Sequence, residues 1–301
     1  MDSRKLKELA EEIGFDAIGV APVALLSDEV ARLRSWVEEG KNAGMDYMGR
    51  NLEKRENPAL LVEGARSVVV TLTNYYTRGK QAPGVPKIAK YAWGKDYHLV
   101  VKERLWRLLK ELQVLESVEG RCFVDSAPVL EHEWARRAGL GWLGKNTLLI
   151  HPKLGSYCFI GVMILTVDFD AYDTPFDASF CGRCNRCVEA CPTGALTSHE
   201  VDARKCISYH TIENKGEYPE DLKVLAENRI FGCDLCQKVC PWNRKAKEHQ
   251  VAEFSLRPEI SGLTVNDWLG MDETRFKELF KDMPQERTGL MRIVRNLVKN
   301  V

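Results

Sequence analysis

Cys181-Gly-Arg-Cys184-Asn-Arg-Cys187-Val-Glu-Ala-Cys191-Pro192 decides how the second half of this 301-residue chain folds. The spacing is C-x2-C-x2-C-x3-C-P, the run that wraps low-potential iron–sulfur clusters. Three thiolates at intervals of three residues close around one face of a cubane. The fourth, set off by an extra residue and a proline, reaches a second cluster. A partial repeat follows at Cys233-Asp-Leu-Cys236-Gln-Lys-Val-Cys240-Pro241, with Ile230 where its first cysteine would stand. Cys206 is the nearby cysteine free to complete it. The expected ligand sets are Cys181, Cys184, Cys187 and Cys240 for one cluster, and Cys191, Cys206, Cys233 and Cys236 for the other. Four-cysteine zinc sites also use C-x2-C pairs, but they do not need the triple run closed by proline. A disulfide framework belongs to secreted proteins, and nothing marks this chain as secreted.

Composition bounds the remainder. The chain is long enough for a sizeable core and two domains, one of them small. Apolar residues make up 45% and charged residues 29%, as in ordinary soluble proteins. Lys plus Arg equals Asp plus Glu, 43 against 43, so net charge gives no argument for a polyanionic partner. A local basic patch is still compatible with that balance. The N-terminus, from Met1 to Glu12, reads as an amphipathic helix with no twin-arginine export signal. No apolar stretch of about 18 residues appears, so no membrane span is expected. A cytoplasmic, reducing location suits cysteines kept as metal ligands.

The fold expected is an α/β (α+β) domain over 1–174, a ferredoxin-like domain with two clusters over 175–245, and a helical tail over 246–301. In the first part, residues 3–13 predict a helix and 16–22 a strand. Ser27 is the expected cap of a second helix running to about Glu39. Ala65–Asn74 is a buried strand, with β-branched residues in sequence from Val68 to Thr71. Helical spacing marks 97–116, a short strand lies around Cys122–Val124, and helix is expected over Val129–Ala138. Strands near 146–150 and 156–167 complete the domain. In the tail, Glu273–Phe280 and a basic segment, Arg287–Asn300, are the expected helices.

Several segments carry candidate chemistry. Gly139-Leu-Gly141-Trp-Leu-Gly144-Lys145-Asn146 superficially matches G-x-G-x-x-G, but it leads from helix to strand, the reverse of a dinucleotide site. It also meets the G-x4-G-K spacing of a phosphate loop, with Asn146 in place of the magnesium-binding hydroxyl. Its glycines point either to backbone approaching something large and flat or to a tight turn. Asp125 ends a strand just before a helix, where a carboxyl is either a helix cap or a proton donor in a pocket. Glu131 and Glu133 read as a solvated helix face. Tyr91-Ala-Trp93-Gly-Lys-Asp-Tyr97-His98 gathers aromatics around a glycine, in the manner of a core or a cofactor cleft. Asp96-Tyr-His98-Leu-Val-Val101 narrowly misses the D-x-H-x-x-G motif that ligates a corrinoid cobalt. Arg244, Lys245, Lys247, Arg287, Arg292, Arg295 and Lys299 form the most basic region, either a solvated face or a phosphate-binding one.

These segments together resemble the epoxyqueuosine reductases. The matching stretches are Glu53-Lys-Arg55 with Pro58, Trp93–His98, Val124–Glu131, Ala138–Asn146 and Gly155-Ser-Tyr157. They continue through Cys181–Leu196, Asp202–Ser208 and Asn228–Cys236 to Trp242-Asn243. The resemblance implies cobalamin without a histidine ligand from the protein, two [4Fe-4S] clusters, and Asp125 as proton donor. It places Arg55, Ala89, Asp125, Leu149, Ile160, Ser208, Tyr209, Leu235 and Cys236 at or near the cobalamin, with Ala89 where some members carry cysteine. It implies a tRNA carrying epoxyqueuosine as substrate, a low-potential external electron donor, and a monomer. Longer members continue into a helical extension for tRNA, so the basic tail is expected to carry more of that contact here. Reductive dehalogenases, which pair cobalamin with two clusters, and a plain ferredoxin-type carrier are the alternatives.

Overall fold

β-branched residues fit best on a pleated, buried surface, and the run from Val68 to Thr71 occupies one. The computed structural model describes residues 1–297, and in it Ser67–Asn74 is a strand with every residue buried. Ala17–Pro22 flanks it on one side and Cys158–Leu165 on the other, with Gly120–Phe123 at the far edge. All three pairings are antiparallel, setting Val69 opposite Val20 and Met163. The first region is therefore α+β in its sheet. A continuous apolar strand is the usual mark of a parallel sheet covered on both faces. Here helices cover both faces of an antiparallel one.

On one face, Val69, Met163 and Leu165 pack with Leu6 and Leu9 of the helix Ser3–Ile13. Val101, Leu105 and Leu108 of the helix Tyr97–Leu115 join them there. On the other face, Val68, Val70, Leu72, Val162 and Ile164 receive Trp134 and Ala135 of the helix Glu131–Arg137. Ser27 does not cap its helix. It is the first residue of Ser27–Glu38, and its Oγ donates to Glu56 Oε1 at 2.5 Å. The single strand expected near 146–150 is half of a small hairpin, Trp142–Leu143 paired with Leu149–Ile150.

The cysteine-bearing region contains short helices, among them Arg186–Glu189, Ile207–Ile212 and Leu235–Lys238. Its strand Arg229–Phe231 pairs in parallel with Lys87–Ile88 and so joins it to the first region. In the tail, Glu273–Leu279 forms as expected. The continuous basic helix over 287–300 does not. Two short helices, Pro284–Thr288 and Leu290–Arg295, meet at Gly289, and Lys299 lies outside the described residues. Trp268, Phe276, Phe280 and Ile293 of the tail bury themselves against Ile88, Trp93, Ile230 and Phe231. The tail thus braces the junction between the other two regions.

Trp134 is 1% exposed between the sheet and its helix. Trp134→Ala should lower stability by about 3–5 kcal/mol, read from the urea midpoint. Val114→Ala, at a site 82% exposed, should shift it by less than about 0.5 kcal/mol.

Candidate functional site

The strand Gly120–Phe123, the first turn of Tyr97–Leu115 and the first turn of Glu131–Arg137 converge on Asp125. Its φ is +56°, a left-handed conformation that a non-glycine residue holds only when its surroundings fix it. It caps no helix, because the N-cap of Glu131–Arg137 is Leu130, without a side-chain bond. The carboxyl is 59% exposed and faces a cavity of about 1080 Å³. Tyr97 Oη donates to Asp125 Oδ2, and His98 Nε2 stands 3.6 Å from the same oxygen. The other ring nitrogen of His98 lies 2.7 Å from Asp96 Oδ1, which also accepts the His98 backbone N–H. Burial first, then the Asp125 charge, holds the Tyr97 phenol far above its ordinary range, so it acts only as a donor.

Glu131 and Glu133 are not a solvated face. The Asp125 backbone N–H donates to Glu131 Oε1 at 2.6 Å. Burial, and secondly the Asp125 charge, push the Glu131 carboxyl up to about 8. Glu133 is buried and takes Arg136 at 2.7 Å and Arg137 at 2.9 Å. Helical spacing alone could not separate these positions from a wet face. Asp125 at one end and two arginines at the other are what draw the carboxylates inward.

A smaller cavity of about 350 Å³ adjoins the first and shares Tyr75, Tyr91, Cys158, Ile160, Cys206 and Ser208 with it as walls. Ala89, Leu149, Leu235 and Cys236 line the smaller space, Arg55, Asp125 and Tyr209 the larger, and Ile160 and Ser208 both. The nine expected contact residues thus surround one connected space. Tyr209 Oη also accepts the Gly44 N–H at 2.9 Å. Arg55 is buried, its Nε is unpartnered, and among the described residues its guanidinium makes one hydrogen bond, to Tyr47 O at 3.3 Å. Burial works against its charge. A buried cation with an unused donor at a cavity wall suits a ligand rich in oxygen. Asn146, buried with an unpartnered Nδ2, is a further polar group in the smaller wall. A broad space with apolar walls and donors of this kind fits a large flat macrocycle with polar substituents, such as a corrin.

The eight cysteines fall into two neighbourhoods. Burial raises the Cys187 thiol, with Cys181 and Cys240 adding to it, and raises Cys240, with Cys181 and Cys184 adding to it. Cys206 is raised by burial with Cys191 beside it, and Cys233 is pushed up to about 11 by burial with Cys206 nearby. Cys236 is raised by burial and adjoins Cys233 and Cys206, with Cys187 of the other set within range. Cys191, Cys206, Cys233 and Cys236 line the smaller cavity, whereas Cys181, Cys184, Cys187 and Cys240 line neither. Among the described residues, no three His, Cys, Asp or Glu side chains gather closely enough for one ion. Zinc would require its sulfurs at about 2.3 Å from a common centre. The C-x2-C-x2-C-x3-C-P spacing of the first run is what favours a cubane over zinc.

The glycine-rich segment turns back on its own hairpin, Trp142–Leu143 against Leu149–Ile150. A Cβ at Gly141 would lie 2.2 Å from Ile150 O. Lys145 Nζ instead donates to Gly182 O at 2.9 Å and Asn185 Oδ1 at 2.8 Å, pinning the first cysteine loop. The basic tail also divides. Arg292 and Arg295 donate to backbone carbonyls, including Thr288, Asn214 and His210, and are structural. Arg287 pairs with Glu213 at 3.6 Å, and it lines the larger cavity together with Arg32 and Arg50.

Comparison with known proteins agrees with this geometry. Residues 180–243 match the family described as "4Fe-4S double cluster binding domain", and residues 55–126 match "Epoxyqueuosine reductase QueG, DUF1730". The chain is 45% identical to an epoxyqueuosine reductase of Leadbetterella byssophila, over 98% of this chain and 97% of that one. It resembles a crystal structure of an epoxyqueuosine reductase with an epoxyqueuosine-modified stem loop of tRNA-Tyr, at a TM-score of 0.91 and 32% identity. The match covers 97% of this chain and 79% of that one. A Bacillus subtilis epoxyqueuosine reductase, described with its aspartate catalytic loop swung out of the active site, matches at a TM-score of 0.88 and 32% identity, with the same coverage.

Glu131 ionises near 4.5 when unfolded and near 8 in the folded chain. Its contribution to stability is complete below pH 4.5 and is lost as pH rises to about 8. Thermal melts of Glu131→Gln should therefore decline less than those of the parent protein across that window.

Proposed function

The chain belongs to the epoxyqueuosine reductase family, and from that premise we propose that it reduces epoxyqueuosine to queuosine in the anticodon loop of tRNA, with Asp125 as proton donor. One observation carries this reading. A proton source, Asp125, lines the larger part of one connected space, and four cysteines line the smaller part, with Cys206 reaching both.

The cofactors are cobalamin and two [4Fe-4S] clusters. Cys191, Cys206, Cys233 and Cys236 would hold one cluster against the smaller cavity. Cys181, Cys184, Cys187 and Cys240 would hold the other behind it, and Lys145 braces their loop. Arg55 would meet polar groups of the corrin, with Ala89, Leu149, Ile160, Ser208, Tyr209, Leu235 and Cys236 around the remainder. Bound cobalamin would supply reducing electrons to the substrate carbon.

The overall change consumes two electrons and two protons. The epoxide loses its oxygen as water, and a carbon–carbon double bond remains. Asp125 would give its carboxyl proton to the departing oxygen. Tyr97 Oη orients that carboxyl, and Glu131 holds its backbone in the left-handed turn. Arg32, Arg50 and Arg287 at the cavity rim suit the phosphates of an entering RNA. In this division of labour, residues 1–174 receive corrin and base, 175–245 carry the clusters, and the tail from 246 braces them. The protein would work as a cytoplasmic monomer supplied by an external low-potential donor. Reductive dehalogenases and ferredoxin-type carriers share parts of this equipment, but the family match along 98% of the chain favours the tRNA substrate over both.

Asp125→Asn should retain iron and corrinoid but lose turnover by about 100-fold or more. Nucleoside analysis of epoxyqueuosine-containing tRNA measures this, and full activity in the variant would remove the acid role. Cys206→Ser should lose about half the iron, since each cluster takes four cysteines. Iron and sulfide quantitation after anaerobic purification checks it.

A further inference from the structure

The two cysteine sets differ as points of entry for electrons. Cys191, Cys206, Cys233 and Cys236 line the smaller cavity, so their cluster faces inward. Cys181, Cys184, Cys187 and Cys240 line neither cavity, and although Cys240 is buried and the other three half-buried, the residues between those three, Gly182, Arg183, Asn185 and Arg186, are exposed. Electron tunnelling falls exponentially with distance, so a donor must sit directly over this outward set.

The surface over it is chemically distinct. Segments 178–188 and 238–247 contain Arg183, Arg186, Lys238, Arg244, Lys245 and Lys247 and no carboxylate. All six cations are exposed, and among the described residues none is in an ion pair. Of the carboxylates flanking these segments, Asp177 is taken by Arg136 at 3.1 Å, Glu248 accepts the Arg78 N–H at 2.8 Å, and Glu189 is exposed, one anion against six cations. The short helices Arg186–Glu189 and Leu235–Lys238 pack together, which brings the two segments side by side. In a chain with 43 cations and 43 anions, this is a local concentration of charge. Phe180, 54% exposed, adds an apolar point, with its ring 5.1 Å from Trp142 and 6.4 Å from Trp242. Trp142 and Trp242 share an apolar cluster with Cys181 and Cys240.

We propose that this face docks an acidic one-electron carrier protein, which delivers electrons to the cluster held by Cys181, Cys184, Cys187 and Cys240. The inference rests on the cluster assignment proposed above. Cations around an apolar point steer an acidic partner and permit rapid release, as small transient redox contacts require. RNA is the less favoured occupant. It must reach Asp125 in the larger cavity, whose rim carries its own arginines and which none of these four cysteines lines.

The test uses the anaerobically purified holoprotein and flavodoxin hydroquinone as the acidic probe, with cluster bleaching followed by stopped flow. The variant carrying Arg186→Glu, Arg244→Glu and Lys245→Glu should be reduced about 10-fold more slowly at low salt. Reduction by dithionite should be unchanged. The parent rate should fall with added salt, and the variant rate should not. An unchanged flavodoxin rate would overturn the proposal. So would weakened binding of a tRNA stem loop with the flavodoxin rate intact, which would assign the face to RNA. Lys238→Glu with Lys247→Glu is a second variant that keeps the test decisive should the first lose iron. A parent protein lacking roughly eight irons would instead refute the cluster assignment, a failure that iron and sulfide quantitation separates from a failure of docking.

Discussion

Everything in this molecule depends on how the cysteine-bearing region is seated on the end of the sheet, and one buried amide network seats it. Asn243 Oδ1 accepts the Ser156 N–H at 2.7 Å, and Asn243 Nδ2 donates to Gln237 O at 2.8 Å and to Ser156 Oγ at 3.0 Å. Gln237 Nε2 returns a bond to Ser156 O at 3.0 Å. The fit admits no side chain at Gly155, where a Cβ would lie 2.1 Å from Asn243 Oδ1. Buried amides left unpaired cost about 1–3 kcal/mol each, so the network strongly favours this one docked arrangement. Ser156 precedes the strand Cys158–Leu165, while Gln237 and Asn243 bracket Cys240. Ligand loops and sheet are thereby held in register.

That docking creates the connected cavity. Its walls come from the sheet edge, the turn after Lys87–Ile88, the glycine-rich hairpin and the cysteine loops, none of which encloses a space alone. The tail adds support from behind, where Gln285 Nε2 reaches Ala92 O at 2.8 Å and Asn296 Nδ2 reaches Ile230 O at 2.9 Å. The result is directional, with thiols gathered at one part of the space and an acid with its phenol and imidazole neighbours at another. A reductive reaction at a base needs electrons and protons supplied from separate places, so that neither source discharges the other.

Features governed by short-range rules were legible from residues alone. The buried strand from Val68 and the amphipathic helices expected at 3–13 and 97–116 follow from propensity and periodicity, and all three form. Misreadings occurred where a distant partner decided the outcome. Glu133 looked wet until Arg136 and Arg137 closed on it. Arg292 and Arg295 read as a solvated or a phosphate-binding face, yet backbone carbonyls from residues about 80 positions away take part of their donor capacity. The glycines at 139–144 left open a large flat neighbour or a tight turn; the chain's own Ile150 packs against Gly141 and Gly144, and Thr174 against Gly139.

By itself, the sequence determined the cluster chemistry, because the C-x2-C-x2-C-x3-C-P spacing is the signature of a cubane, although each set is completed by cysteines farther along the chain. Through resemblance along its length it also named nine residues that the structure brings around one connected space. Only the tertiary structure decided that Asp125 stands in a left-handed turn, held by Tyr97 and Glu131, instead of capping a helix. Only it decided that Cys191, Cys206, Cys233 and Cys236 line the cavity and that Cys181, Cys184, Cys187 and Cys240 do not. Those outcomes depend on burial and on contacts between segments far apart in the chain, which no local pattern of residues encodes.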